Sequence, residues 1–194
     1  MQTIDPWSPI VFKDNFTDVD FDSVIRKINP IFSIVPNAGA VMDNGISSVA
    51  YSKHTGDNPH NWDEFSNFRN WAQEKVSYAL DKWKMPKNPW DAKLSWIIKH
   101  LHGGWTNEHN HPESTWSCAY YLRVPENSGR FMVRDPMEYC WFNKRSLENS
   151  DSWYPIDLKT GDFLIFPSWL YHKTEKNMSS ELKWVMSINF DYRR

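Results

Sequence analysis

Apolar residues recur at three- and four-residue steps in two stretches of the chain. In residues 18–28, Val19, Phe21, Val24, Ile25 and Ile28 follow an acidic start, which predicts a short amphipathic helix. In residues 63–83, Phe65, Phe68, Ala72, Val76, Ala79, Leu80 and Trp83 form one stripe, with Glu64, Arg69, Gln73, Glu74 and Lys82 mostly off it; this is the clearest helix of the sequence. Pro86 and Pro89 end it, and the period then changes from 3.6 to 2. Strands are predicted over 94–101, 116–124, 130–133, 163–166 and 183–190. Turn residues separate them: Gly103-Gly104, 125–129, Asp135-Pro136, Thr160-Gly161-Asp162 and 177–180. Residues 30–61, with Pro36, Gly39, Gly45, Gly56 and Pro59 among scattered apolar positions, predict loops and short irregular strands. A helical first third before a strand-rich remainder predicts an α+β, mainly β fold in which helices brace a sandwich or barrel. No repeat or linker interrupts the chain, so we expect a single domain over 1–194, with 1–90 as helical and irregular support and 91–194 as the β core.

Composition narrows the chemistry. The 22 basic and 24 acidic side chains leave a formal charge of −2, which disfavours nucleic acid as partner while leaving room for a local basic groove. Cys118 and Cys140 are too few for a disulfide framework or a four-cysteine zinc site, leave room for one bridge between them, and suit a reducing cytosol, so a cytoplasmic location is expected. Residues 1–10 contain Asp5, Pro6 and Pro9 and have neither a basic leader nor an apolar run, unlike a secretory signal. No stretch approaches the roughly 20 apolar residues of a membrane span. Twelve tryptophans against seven glycines predict a core shaped by large flat rings.

Four of the seven histidines form two His-x-His pairs, His100/His102 and His109/His111. Random placement gives about 0.25 such pairs in a chain of this composition. On a strand, i and i+2 face one side, so each pair aims two imidazoles at one volume, as a metal requires. His100 and His102 continue the parity of Leu94, Trp96 and Ile98, a face expected to be buried; they are hydrogen-bonded core residues or part of a site wall. His109 and His111 lie in a polar stretch just before the strand that begins at Trp116, where side chains can reach an open cavity. His172 follows an apolar strand and a Phe-Pro-Ser corner, and antiparallel pairing would bring it beside the second pair, giving three ligands on one side of an octahedral ion. Alternation puts Lys183, Val185, Ser187 and Asn189 on one face. If that face is interior, the ammonium needs an anionic partner; otherwise Lys183 is a solvated strand start.

The order Gly-turn, His109-x-His111-Pro112, a strand from Trp116 to Leu122, Gly129, Asp135-Pro136, then Gly161-Asp162 through Phe166-Pro167-Ser168-Trp169-Leu170-x-His172 and a last strand ending Ser187-Ile188-Asn189-Phe190 resembles the 2-oxoglutarate and iron(II)-dependent oxygenases. It is most similar to a bacterial and phage branch with a His-x-His-Pro signature. The resemblance covers roughly residues 94–190, and the Phe-Pro-Ser-Trp-Leu-x-His segment is its most specific part. It implies a double-stranded β-helix (jelly-roll) with iron at its mouth and 2-oxoglutarate chelating the metal, its far carboxylate held by a basic residue near the last strand. Position by position, His109 takes the first ligand place, His111 the place usually held by a carboxylate, His172 the distal ligand place, and Lys183 the place of the usual arginine. Tyr121 matches a tyrosine that binds the same carboxylate in some members, and Ser117 lies on the same face. His111-Pro112-Glu113 also satisfies the family's His-x-carboxylate wording, which makes Glu113 an alternative ligand to His109.

The resemblance implies Fe(II), 2-oxoglutarate and O2 as reactants, succinate and CO2 as products, and most simply a hydroxylase. A cupin-like metalloprotein without 2-oxoglutarate and a non-catalytic jelly-roll binding module are the competing readings. Trp96, Trp105, Trp116 and Trp169 are candidates to shape a dry cavity or to be ordinary core. The substrate is open between a small molecule and a peptide side chain. Segments 30–61 and 135–153, the latter with Lys144 and Arg145, are where specificity loops are expected.

Overall fold

The strand alternation read from the sequence sorts side chains to two faces of a six-stranded antiparallel sheet. The computed structural model describes residues 11–35, 41–85, 92–136 and 152–191. In chain order the elements are β1 (Phe12–Asn15), α1 (Phe21–Phe32), β2 (Met42–Ser47), α2 (Val49–Thr55), α3 (Ser66–Lys82), β3 (Ala92–Thr106), β4 (Trp116–Arg123), β5 (Phe131–Arg134), β6 (Trp153–Ile156), β7 (Asp162–Pro167), β8 (His172–Thr174) and β9 (Lys183–Phe190). The large sheet runs β1-β7-β4-β9-β3-β2 and a smaller one β6-β5-β8. On the large sheet, Cys118, Tyr120, Leu122, Phe163, Ile165, Trp184, Met186, Ile188 and Phe190 point outward into a core shared with the helices. Ala119, Tyr121, Leu164, Phe166 and Val185 point the other way, toward Phe131 and Val133 of the small sheet. Two sheets face to face, with helices on the outer side of the larger, make the double-stranded β-helix.

Both expected helices form, each shifted by local chemistry. The Asp20 side chain accepts from the Ser23 N–H at 3.0 Å and caps α1. That helix continues past Ile28 and through Pro30 because Ile31 and Phe32 bury in the core, an example of tertiary packing overriding a local breaker. α3 starts three residues later than the expected start at 63, since residues 63–65 form a 3-10 turn, and it buries Phe68, Ala72, Val76, Ala79 and Leu80 as the stripe requires. Phe68 stacks on Tyr120 of β4 at 4.1 Å between ring centroids, tying the helix to the sheet.

Segment 30–61 is more regular than its composition implies. It holds β2, α2 and a 3-10 turn, and the regularity comes from pairing with β3: Ser47 lies opposite Ile98, and the Ser48 hydroxyl accepts from the Ile97 N–H at 3.0 Å. Gly103-Gly104 does not end a strand. β3 runs through it as a bulge in which residues 101–104 oppose Asn44 alone, and a Cβ at Gly104 would come within 2.3 Å of the Asn44 carbonyl oxygen. The short strands β1, β6 and β8 also went unpredicted, being too brief to show a period.

Candidate active site

His109 and His172 are joined by reciprocal backbone hydrogen bonds, N–H of each to C=O of the other, at 3.0 and 2.9 Å. The His111 N–H donates to the Ser168 carbonyl at 2.8 Å, so the 109–115 turn lies along the corner that follows β7. This is the antiparallel return expected for His172, and it places the three rings in a triangle with centroids 4.2, 5.2 and 5.2 Å apart. One nitrogen from each lies within 4.8 Å of the others. Among the described residues this is the group of His, Cys, Asp and Glu side chains able to hold a metal ion; Glu113 stands exposed at the cavity mouth, outside it.

Hydrogen bonding sets the three rings for a cation. His109 Nδ1 faces the Asn107 carbonyl at 2.8 Å, His172 Nδ1 the Leu170 carbonyl at 2.9 Å, and His111 Nδ1 the Asn189 Oδ1 at 2.5 Å. Each acceptor fixes a proton on Nδ1 and leaves the Nε2 lone pair turned inward; Nε2 of His109 and of His111 are only 3.3 Å apart. Burial holds all three rings below the ordinary imidazole pKa, His111 at about 4 despite its bond to Asn189. Neutral imidazoles with converging lone pairs are the donor set that a divalent transition metal takes.

Beneath the triangle a cavity of about 710 Å³ reaches one layer deeper, where His100, Thr106, Tyr121, Thr174 and Val185 line it. Lys183 lies behind this floor, 1% exposed and opposite His100, on the face it shares with Val185, so of its two alternatives the interior one is observed. Its Nζ donates to the Ser128 and Gly129 carbonyls at 3.1 and 2.6 Å and sits 5.4 Å from the Tyr121 ring centroid. No carboxylate of the described residues pairs with it, for Glu175 is engaged by Arg130 at 2.6 Å. Burial pushes the Lys183 ammonium down to about 7, opposed by the field of Glu175. A buried cation held only by neutral acceptors suits an anion in the adjoining space. Ser117, fully buried, is bonded instead to His111 Nδ1 (3.1 Å), Ser168 Oγ (2.7 Å) and Asn189 Oδ1 (3.0 Å).

The first histidine pair divides. His100 is buried, its Nε2 2.8 Å from Thr106 Oγ1, and lines the cavity. His102 falls on the bulge, is exposed, and donates to the Ser179 carbonyl at 3.1 Å. Of the four tryptophans considered, Trp96 lines the cavity, Trp116 packs in the core on Phe190, and Trp169 is largely exposed; Trp105 binds Asn107 through its indole N–H. Residues 47–53 supply Ser47, Val49, Ala50 and Lys53 to the cavity wall, whereas Lys144 and Arg145 lie outside the described residues, as does Cys140. Asn189, Thr106 and Thr174 are not singled out by the sequence; the alternation of β9 puts Asn189 on one face with Lys183, and that is its one signal.

The turn carrying the Lys183 acceptors tolerates no side chain at Gly129. Its φ is +78°, and a Cβ would lie 2.6 and 2.7 Å from the carbonyl oxygens of Glu175 and Lys176. Gly129→Ala is therefore expected to lower stability by about 1–3 kcal/mol, the usual cost of a strained backbone residue, read as a lower urea midpoint at unchanged slope.

Residues 94–191, half of the chain and the stretch that holds His109, His111, His172 and Lys183, match the profile of a protein family described as "Putative 2OG-Fe(II) oxygenase". The chain belongs to the 2-oxoglutarate- and iron(II)-dependent oxygenases. No curated protein matches it in sequence. Solved structures share the oxygenase's fold at low identity. A Pseudomonas putida prolyl-4-hydroxylase aligns with TM-score 0.59 and 9% identity over 95% of this chain and 93% of its own. A 2OG-Fe(II) oxygenase family oxidoreductase from Burkholderia pseudomallei gives 0.52 and 12% over 95% and 88%. A Trichoplax adhaerens prolyl hydroxylase in complex with a hypoxia inducible factor peptide fragment gives 0.57 and 10% over 93% and 83%. As a member of this family the oxygenase uses Fe(II), 2-oxoglutarate and O2. No described helix is long and apolar enough to cross a membrane.

Proposed function

We propose that this oxygenase is a hydroxylase in which His109, His111 and His172 hold iron(II), with Lys183 and Tyr121 receiving the far carboxylate of 2-oxoglutarate. The observation that carries the reading is the convergence of three neutral imidazoles directly above a floor backed by a buried, carboxylate-free ammonium. When bound, iron and 2-oxoglutarate supply the oxidising chemistry: O2 is split between the keto acid, which leaves as succinate and CO2, and a substrate C–H bond, which becomes C–OH.

The chain's own groups bind, orient and exclude. Lys183 offers charge and Tyr121 a hydroxyl, which burial keeps protonated far above neutral pH, so it remains a donor to a carboxylate. Thr174 Oγ1 accepts from the Thr106 N–H at 2.9 Å, leaving its own proton for a ligand in the cavity. Trp96, Ile98, Phe131, Phe166 and Val185 surround the reacting volume with apolar surface and keep water from it. Ser117 serves the site through His111. A three-imidazole centre carries one more positive charge than one with a carboxylate, which favours anionic ligands.

The substrate is proposed to be a small molecule or a peptide side chain that enters between α2 and the 110–114 turn. The mouth mixes Lys53 and the Lys93–Asp191 ion pair with Glu113, a balance of signs poorly suited to a phosphate backbone. The peptide fragment held by the Trichoplax enzyme supports the peptide option. A cytoplasmic site of action fits Cys118, a buried free thiol. The test is succinate: protein with Fe(II), ascorbate and 2-oxoglutarate should release it slowly without substrate, and a chelator should stop it. Absence of succinate and of metal-dependent 2-oxoglutarate binding would overturn the reading.

A further inference from the structure

The three imidazoles are not held alike. His109 and His172 give their Nδ1 protons to backbone carbonyls, acceptors that no substitution can remove. His111 depends on a side chain: its Nδ1 lies 2.5 Å from Asn189 Oδ1. An imidazole, unlike a carboxylate, must be in one tautomer to offer its inner nitrogen to a metal. We propose that Asn189, backed by Ser117 and Ser168, is a positioning residue that selects the metal-binding tautomer of His111. The inference rests on the reading that His109, His111 and His172 hold the metal.

Counting protons gives the direction of the network. Asn189 Oδ1 has two lone pairs, one for His111 Nδ1–H and one for the Ser117 hydroxyl, 3.0 Å away. Ser117 has a single proton; with it given to Asn189, the Ser117 oxygen accepts from the Ser168 hydroxyl at 2.7 Å and shares the His111 Nδ1–H at 3.1 Å as a longer second acceptor. The chain therefore runs Ser168 to Ser117 to Asn189, and every proton in it points toward the amide oxygen. Ser117 and Ser168 are fully buried, so water does not compete for these bonds. Were the amide reversed, its N–H would face Nδ1, the ring proton would move to Nε2, and a hydrogen would point into the triangle where the cation belongs. Three elements contribute, β9, β4 and the corner after β7, so the arrangement is fixed by the strand register that places Ser117 opposite Asn189 and Phe166.

The test is a Co(II) titration of metal-free protein against a competing chelator, with the visible Co(II) spectrum and the melting temperature of the metal-free form as second readouts. Asn189→Leu should weaken Co(II) about 10–100-fold, the usual effect of losing an outer hydrogen-bond partner of a metal-bound histidine, and should change the spectrum. Asn189→Asp, which keeps the acceptor, should retain wild-type affinity. Ser168→Ala, which removes only the far donor, should give a smaller loss and serves if Asn189→Leu does not fold. Unchanged affinity in both Asn189→Leu and Ser168→Ala, or equal losses in Asn189→Asp and Asn189→Leu, would overturn the proposal. Failure of the wild-type protein to bind Co(II) would instead count against the ligand assignment itself.

Discussion

His172→Ala is expected to abolish succinate release and metal binding together. His172 is the proposed ligand from the second segment of the site, and its ring lies against both other imidazoles and the aromatic walls Phe131 and Phe166. Removing it leaves two donors on one turn, 109–111, with no third side chain among the described histidines, cysteines and carboxylates close enough to replace it. The loss should exceed the roughly 10–100-fold that an outer-shell change costs. Glu113→Ala is the matched control: its carboxylate lies outside the cluster, so metal affinity should stay at the wild-type level. Equilibrium dialysis with Fe(II) or Co(II), alongside succinate detection, reads both variants. A large loss in Glu113→Ala with little in His109→Ala would restore the His-x-Glu reading of the motif.

Affinity for 2-oxoglutarate should fall as pH rises above 7, by roughly tenfold per unit, because one proton is then taken up on binding. The group responsible is Lys183, which burial holds at about 7, opposed by Glu175. A bound carboxylate favours the charged ammonium, so its pKa climbs in the complex. Neighbouring groups stay silent in this window: His100 is held near 3 by burial and by the Lys183 charge, and burial raises Tyr121 far above it. Stability of the cosubstrate-free chain should move the opposite way. Its folded pKa lies below the unfolded value of about 10.4, so this term penalises folding most below pH 7 and relaxes as pH approaches the unfolded value. Lys183→Met should weaken binding by two orders of magnitude or more, as expected when one partner of a buried pair is removed at a cost of about 3–5 kcal/mol, and should flatten the pH profile. Calorimetry with Mn(II)-loaded protein from pH 6.5 to 9 measures both. An unchanged slope in Lys183→Met would remove the lysine from the cosubstrate site.

The parity of the strands was the most legible part of the sequence. Period-2 alternation in β9 put Lys183, Val185, Ser187 and Asn189 on one face, and the register agrees from Asn189, opposite Ser117, to Val185, opposite Tyr121, before it shifts. The convergence of His172 with the 109–111 turn was legible only as a possibility of antiparallel return, since no local pattern encodes contact across sixty residues. Gly103-Gly104 misled because a bulge and a turn use the same residues, and the consequence was concrete: His102 left the interior face that its spacing from His100 implied. Segment 30–61 misled for another reason. Its order comes from edge pairing with β3 and from the hydroxyl of Ser48, and neither leaves a hydrophobic period. His60 belongs with these misses, being a buried histidine bonded to Ser95 Oγ at 2.8 Å, a structural role its neighbours in sequence do not reveal.

The order of the large sheet gives the first third of the chain a duty beyond bracing. Its two outermost strands, β1 and β2, both come from there, and they cover β7 and β3, whose backbone N–H and C=O groups would otherwise line open borders. Uncovered borders of this kind recruit strands from other molecules and seed aggregates. Trimming the protein to the stretch that carries its chemistry would thus leave both borders open to strand addition and favour polymers, even with every candidate ligand intact.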